Sequence, residues 1–169
     1  LQSLSLLGMQ TARSLEPLGG LTALRELYLC SRLESGDALA PLASLTNLQS
    51  LKLYASSYGI GSATDPLIDM PELSLEPLSS LTKLTQLHLT CKIAHGDLSA
   101  LSALTSLREL TVDSNNYDAP VTDLSPLAGL QHLTDVAVTG AVERDTDQSP
   151  ISHVPNMTFH SSIYYPYGS

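Results

Sequence analysis

Leucine recurs at every third position through long stretches of this chain, and that step rules out most ways of folding it. An α-helix places its apolar residues three and four apart in alternation, and a strand places them two apart. In LEPLGGLTALRELYL, Leu15, Leu18, Leu21, Leu24 and Leu27 advance by three, and Leu29 follows after a step of two. A strict period of three puts side chains on one side of a tight 3₁₀-like coil. The closing step of two suits a short strand. The segment therefore reads as a tight coil feeding a strand, with all its leucines pointing inward.

The pattern repeats. LAPLASLTNLQSLKL runs from Leu39, LEPLSSLTKLTQLHL from Leu75, LSALSALTSLRELTV from Leu98 and LSPLAGLQHLTDVAV from Leu124. The chain opens inside a partial copy, LQSLSL. A degenerate last copy is expected in QSPISHVPNMTF, with Ile151, Val154, Met157 and Phe159 in the apolar places. Start-to-start spacings from Leu15 are 24, 36, 23, 26 and, to Gln148, 24 residues. One such unit cannot bury its leucines alone, but stacked units share a continuous core. Each buried Leu stabilises by roughly 1.5–3 kcal/mol, so every interface between units has a strong drive. Pro17, Pro41, Pro77 and Pro126 fall in the coil, where a missing N–H does no harm.

The unit L-x-P-L-x-x-L-T-x-L-x-x-L-x-L resembles the leucine-rich repeat, in its short-repeat subclass, as found in internalins and in the leucine-rich regulatory subunit of protein phosphatase 1. The resemblance covers roughly Leu1 to Gly140. It implies an α/β-type repeat solenoid, a horseshoe with a parallel concave β-sheet and a mostly 3₁₀ or irregular convex side. Residues 1–142 are then the solenoid, and residues 143–169 a degenerate last repeat with a cap or tail. The family places Asn two or three residues after the strand to bond neighbouring turns. Here only Asn115 fills that place, so that ladder is expected to be broken. Tyr164, Tyr165 and Tyr167 are expected to help cover the last turn, or to pack on a neighbouring chain. The start at Leu1, within a repeat, suggests a piece of something longer.

Charge and cysteine usage bound the function. A net charge of −9 argues against nucleic acid, which calls for a basic stripe. No apolar run approaches the roughly 20 residues of a membrane span. Cys30 and Cys91 lie on units two apart, beyond disulfide reach, and no cysteine-rich cap is visible. Both features favour a reducing compartment and a cytoplasmic location. The sequon Asn156-Met157-Thr158 leaves an extracellular one open.

Catalytic chemistry is thin. GIGSAT (59–64) lacks the Lys and following helix of a phosphate loop. His88 has Glu109 and Asp113 on the next strand but no nucleophile nearby. The five histidines follow no ligand spacing, and VERDTDQS lacks the Gly and closing Glu of a calcium loop. The sequence thus points to a non-enzyme without cofactor or metal.

Function then falls to the strand residues that alternate with the leucines. They form three outward columns: Ser3, Glu26, Ser50, Gln86, Glu109 and Asp135; Ser5, Tyr28, Lys52, His88, Thr111 and Ala137; and Leu7, Cys30, Tyr54, Thr90, Asp113 and Thr139. Tyr28, Lys52, Tyr54 and His88 form a patch, and tyrosine is enriched at interface centres. Two insertions, 54–74 and 113–123, leave the sheet at one edge and bring Tyr58 and Tyr117 towards it. Insertions in repeat arrays often map to the binding face. The expected role is a protein–protein interaction module. Its partner-binding residues are Glu26, Tyr28, Lys52, Tyr54, Tyr58, Gln86, His88, Glu109, Thr111, Asp113 and Tyr117. The alternative is a structural subunit of a larger assembly, packed through its ends and convex side.

Overall fold

The computed structural model describes residues 1–12, 14–55 and 70–163, for 8–12 the backbone only. Seven strands lie side by side in chain order: β1 (Ser3–Ala12), β2 (Glu26–Leu33), β3 (Ser50–Ala55), β4 (Gln86–Cys91), β5 (Glu109–Ser114), β6 (Asp135–Gly140) and β7 (Asn156–Ser161). Every neighbouring pair is parallel. Short 3₁₀ segments return the chain on the convex side, among them Glu16–Gly20, Ala40–Ser44, Glu76–Ser80 and Ser99–Ala103. Among the described residues no helix is long and apolar enough to cross a membrane.

The step of three has a direct cause. The N–H of Leu18 donates to the Leu15 carbonyl, Leu21 to Leu18 and Leu24 to Leu21, each at 2.9 Å. The same three rungs recur at Leu39–Leu48, Leu75–Leu84, Leu98–Leu107 and Leu124–Leu133. Each leucine is therefore three residues and one hydrogen bond from the last, so its side chain returns to the same side of the coil. Nearly all of these leucines are fully buried and join one continuous core along the stack. Leu21 is half-buried and packs against it. The last copy forms where expected. Ser149–Ile151 is a 3₁₀ turn, and Ile151 and Val154 are buried at 1% and 4%. Its strand β7 is less covered, with Met157 44% exposed and Phe159 half-buried. Met157 takes a core-side place, paired with the buried Val136, and is left partly exposed because among the described residues β7 pairs on one side only. Tyr164, Tyr165 and Tyr167 lie outside the described residues.

Polar bonds between units replace the asparagine ladder. On the convex side the Ser44 hydroxyl donates to the Gly19 carbonyl at 2.7 Å and the Ser80 hydroxyl to that of Ala43 at 2.9 Å. The Asn47 amide donates to the Thr22 carbonyl at 3.0 Å and itself accepts from Lys83 Nζ at 2.7 Å. The residue filling the family's asparagine role is Asn116, not Asn115. Asn116 is fully buried, and its Nδ2 donates to the Ile93 carbonyl of the preceding unit at 2.7 Å. Asn115 stays half-buried and bonds through its backbone N–H to the Cys91 carbonyl.

Three turns begin with a device that the leucine pattern does not announce. Asp97, Asp123 and Asp147 each accept both the N–H and the hydroxyl of the serine two residues on, at 2.8–3.0 Å. These bonds from Ser149 hold the Asp147 carboxyl below its usual range. They stabilise the start of the 3₁₀ coil, where backbone N–H groups otherwise lack partners.

Candidate functional site

Alternation along each strand makes the concave face. In β2, Leu27 and Leu29 are buried while Tyr28 and Cys30 face out half-buried. Register then aligns equivalent positions: Tyr28 lies opposite Lys52, Lys52 opposite His88, and His88 opposite Thr111. A second column runs Glu26, Ser50, Gln86, Glu109, Asp135, Asn156, and a third Cys30, Tyr54, Thr90, Asp113, Thr139, His160. The one departure is Leu7. The pairing of β1 with β2 shifts after Leu6 and Leu29, so Leu7 has no partner in the Cys30 column and is 65% exposed.

Three rings cross the strands as a ladder. Tyr28 and Tyr54 have ring centroids 5.3 Å apart, and Tyr54 and His88 4.7 Å, both tilted by 32°. Tyr54 reaches both because each sits on the diagonal from it, within range of a long side chain, while the directly opposite partner of both is Lys52. The spacing and tilt fit favourable offset packing of aromatic faces. His88 Nε2 lies 3.3 Å from the Thr90 hydroxyl. Burial lowers the His88 pKa, the Lys52 charge lowers it further, and Asp113 opposes both. Burial also raises the Tyr54 pKa, with Tyr28 and Cys30 adding to it. At neutral pH Tyr54 and His88 are therefore uncharged, with the exposed Lys52 beside them.

The other half of the face is acidic. Glu109 on β5 lies directly opposite Asp135 on β6. Gln86 Nε2 donates to Glu109 Oε2 at 3.1 Å, and Asn156 Nδ2 to Asp135 Oδ1 at 2.9 Å. The Thr139 hydroxyl donates to Asp113 Oδ1 at 3.1 Å. Between β5 and β7 the surface dips into a depression of ≈ 450 Å³ lined by Glu109, Thr111, Asp135, Ala137, Met157 and Thr158, among others.

Of the residues singled out in the sequence, Glu26, Tyr28, Lys52, Tyr54, Gln86, His88, Glu109, Thr111 and Asp113 share this one sheet face. Tyr117 stands apart. It is 58% exposed in the loop after β5, and no ring contact joins it to the ladder among the described residues. Its neighbour Asp118 instead pairs with Lys92 at 3.9 Å. Tyr58 lies outside the described residues. No His–acid dyad forms, because His88 faces Thr90 while Asp113 and Glu109 accept from Thr139 and Gln86. Among the described residues no three His, Cys, Asp or Glu side chains gather as a metal site would require. Cys30 and Cys91 are both free thiols. Burial pushes the Cys91 thiol up to about 12.

Asn156, Thr158 and His160 also belong to this face, although the columns read from the sequence stop short of them, while Met157 pairs with the buried Val136 and lies on the core side. The strand-alternation rule that finds the other positions reaches these too once it is carried into the degenerate last copy.

No family model matches the chain, and no curated protein sequence does. Solved structures do. An internalin C2 from Listeria monocytogenes is 26% identical over 94% of this chain and 71% of its own, with a TM-score of 0.58. An internalin, inlF, from the same organism is 24% identical over 98% of this chain and 48% of its own, with a TM-score of 0.60. The leucine-rich-repeat ectodomain of the plant membrane receptor kinase GASSHO1/SCHENGEN3 from Arabidopsis thaliana is 20% identical, covering 94% of this chain and 18% of its own, with a TM-score of 0.58. The chain thus spans about half of inlF and less than a fifth of the plant ectodomain.

Proposed function

We propose, for a chain with the leucine-rich-repeat fold and a resemblance to internalins, that its concave sheet binds a protein partner. The ring ladder Tyr28–Tyr54–His88, half-buried with Lys52 exposed beside it, carries this reading. Tyrosine offers large contact area at small entropic cost and anchors interface centres. The convex side favours the alternative of a packed subunit less. Its serine and asparagine side chains are spent on carbonyls of the neighbouring unit, as with Ser44, Ser80 and Asn47. Among the described residues the sheet face has no such closure around the ladder.

The test is photo-crosslinking in an extract of the source cells. A photoreactive residue replaces Lys52 on the concave face, and in a control replaces the exposed Ala128 on the convex side. A discrete protein adduct at position 52, absent at 128 and lost when Tyr54→Ala is added, is the expected result. Adducts at 128 with position 52 silent would overturn the reading in favour of a packed structural subunit.

A further inference from the structure

The concave face is polarised along the stack. β2 to β4 carry the rings and Lys52, whereas the columns on β5 and β6 carry Glu109, Asp113 and Asp135 with no cation. Glu109 and Asp135 are direct cross-strand neighbours, on strands about 4.8 Å apart. Like charges so placed destabilise a sheet. Each carboxylate is held from its far side, Glu109 by Gln86 and Asp135 by Asn156. Those amides engage one oxygen of each, and among the described residues no donor bonds both acids. Among the described residues no ion pair engages either one. Beside them the ≈ 450 Å³ depression has room for a long side chain.

We propose that this half of the face receives an arginine from an extended, basic segment of the protein partner, while a neighbouring side chain of that segment lies on the ring ladder. This rests on the reading of the concave sheet as the binding face. Arginine fits on two counts. Its planar fork can donate to two carboxylates at once, and it is more weakly hydrated than lysine. Two carboxylates without a third ligand fall short of a metal site. The chain's net charge of −9 favours approach of a cationic partner and disfavours an acidic one.

The experiment is selection of a displayed library of random peptides on the intact protein. It is followed by affinity measurements on Glu109→Gln with Asp135→Asn, and separately on Tyr54→Ala. The first two changes are near-isosteric and the third removes a half-buried ring, so a cooperative thermal melt of each variant by circular dichroism is used to confirm the fold. The expected peptides are enriched in arginine and bind the double variant at least tenfold more weakly, or about 1.4 kcal/mol. Their binding also weakens as salt is raised, because the contacts are charged and near the surface. Selected peptides lacking basic residues, or bound equally by the double variant, would overturn the proposal. If those peptides still lose affinity on Tyr54→Ala, the concave-face reading stands without it. Indifference to all three substitutions would overturn both.

Discussion

Adding a single methyl group at Gly140 should be among the most damaging small changes this chain can suffer. Gly140 closes β6 with φ +84°, in the left-handed region where an L side chain costs about 1–2 kcal/mol. It lies opposite Ser114, and the tight approach lets the Ala141 N–H reach the Ser114 carbonyl at 2.6 Å. A Cβ there would overlap that same carbonyl oxygen and stand 2.7 Å from Asp113 Oδ1. The first neighbour is backbone of a central strand and cannot swing away, so overpacking adds about 1–3 kcal/mol. The Asp113 carboxylate would also be pushed off the Thr139 hydroxyl that it accepts from at 3.1 Å. Gly140→Ala therefore costs about 2–5 kcal/mol. For a domain of this length that lowers Tm by roughly 4–20 °C. Differential scanning calorimetry reads it directly. Gly129→Ala is the control: nothing lies within 4 Å of its would-be Cβ. Its effect should stay within about 1 kcal/mol and can be stabilising through the unfolded state. A Gly140→Ala protein melting at or above the parent, or a control just as damaged, would refute this reasoning.

Three further outcomes are expected. Asn116→Ala removes its bond to the Ile93 carbonyl, which keeps only the 3.2 Å bond from the Gly96 N–H, so it costs about 0.5–1.5 kcal/mol in urea unfolding, whereas Asn115→Ala stays within about 0.5 kcal/mol. Iodoacetamide on the native protein at pH 8 should label the half-buried Cys30 well ahead of Cys91, whose buried thiol sits at about 12; equal rates would contradict the burial. The folded His88 pKa lies below its ordinary 6.5, so the unfolded chain binds the proton more readily and stability falls as pH drops through 6.5. An NMR titration should place the His88 midpoint below 6.5, Lys52→Met should raise it, and His88→Gln should flatten the pH dependence of the urea midpoint.

Much of this fold can be read in the leucines because each step of three corresponds to one repeated backbone hydrogen bond. The register of the concave columns is equally legible, since alternation in parallel strands of equivalent units admits little freedom from β2 onward. It fails at Leu7, where β1 bulges against β2. A second apolar line follows the first and is only partly periodic. Leu33, Leu73, Ile93, Val121 and Val142 are all buried, and two parallel bridges, Leu73 to Ile93 and Val121 to Val142, knit part of it together. Leu33, Ile93 and Val142 each stand four residues after Leu29, Leu89 and Val138, but insertions separate Leu73 and Val121 from their strands, so the spacing is lost in those two units. The same irregularity hides why Asn116 and not Asn115 turns inward. The acidic depression is out of reach for another reason: it depends on side-chain pairing of Gln86 with Glu109 and of Asn156 with Asp135, contacts between residues 23 and 21 positions apart.

The measurement that bears most directly on the concave sheet as a binding face is the equilibrium affinity of the partner captured at position 52 for two single variants. Tyr54→Ala removes the middle ring of the ladder, and Gln131→Ala trims an exposed side chain on the turn side. Loss of a central anchor costs at least about 2 kcal/mol, some thirtyfold in Kd, so Tyr54→Ala should weaken binding by that much with the fold retained. Gln131→Ala should leave the affinity as it is. Unchanged affinity in Tyr54→Ala together with weakened binding in Gln131→Ala would contradict the account.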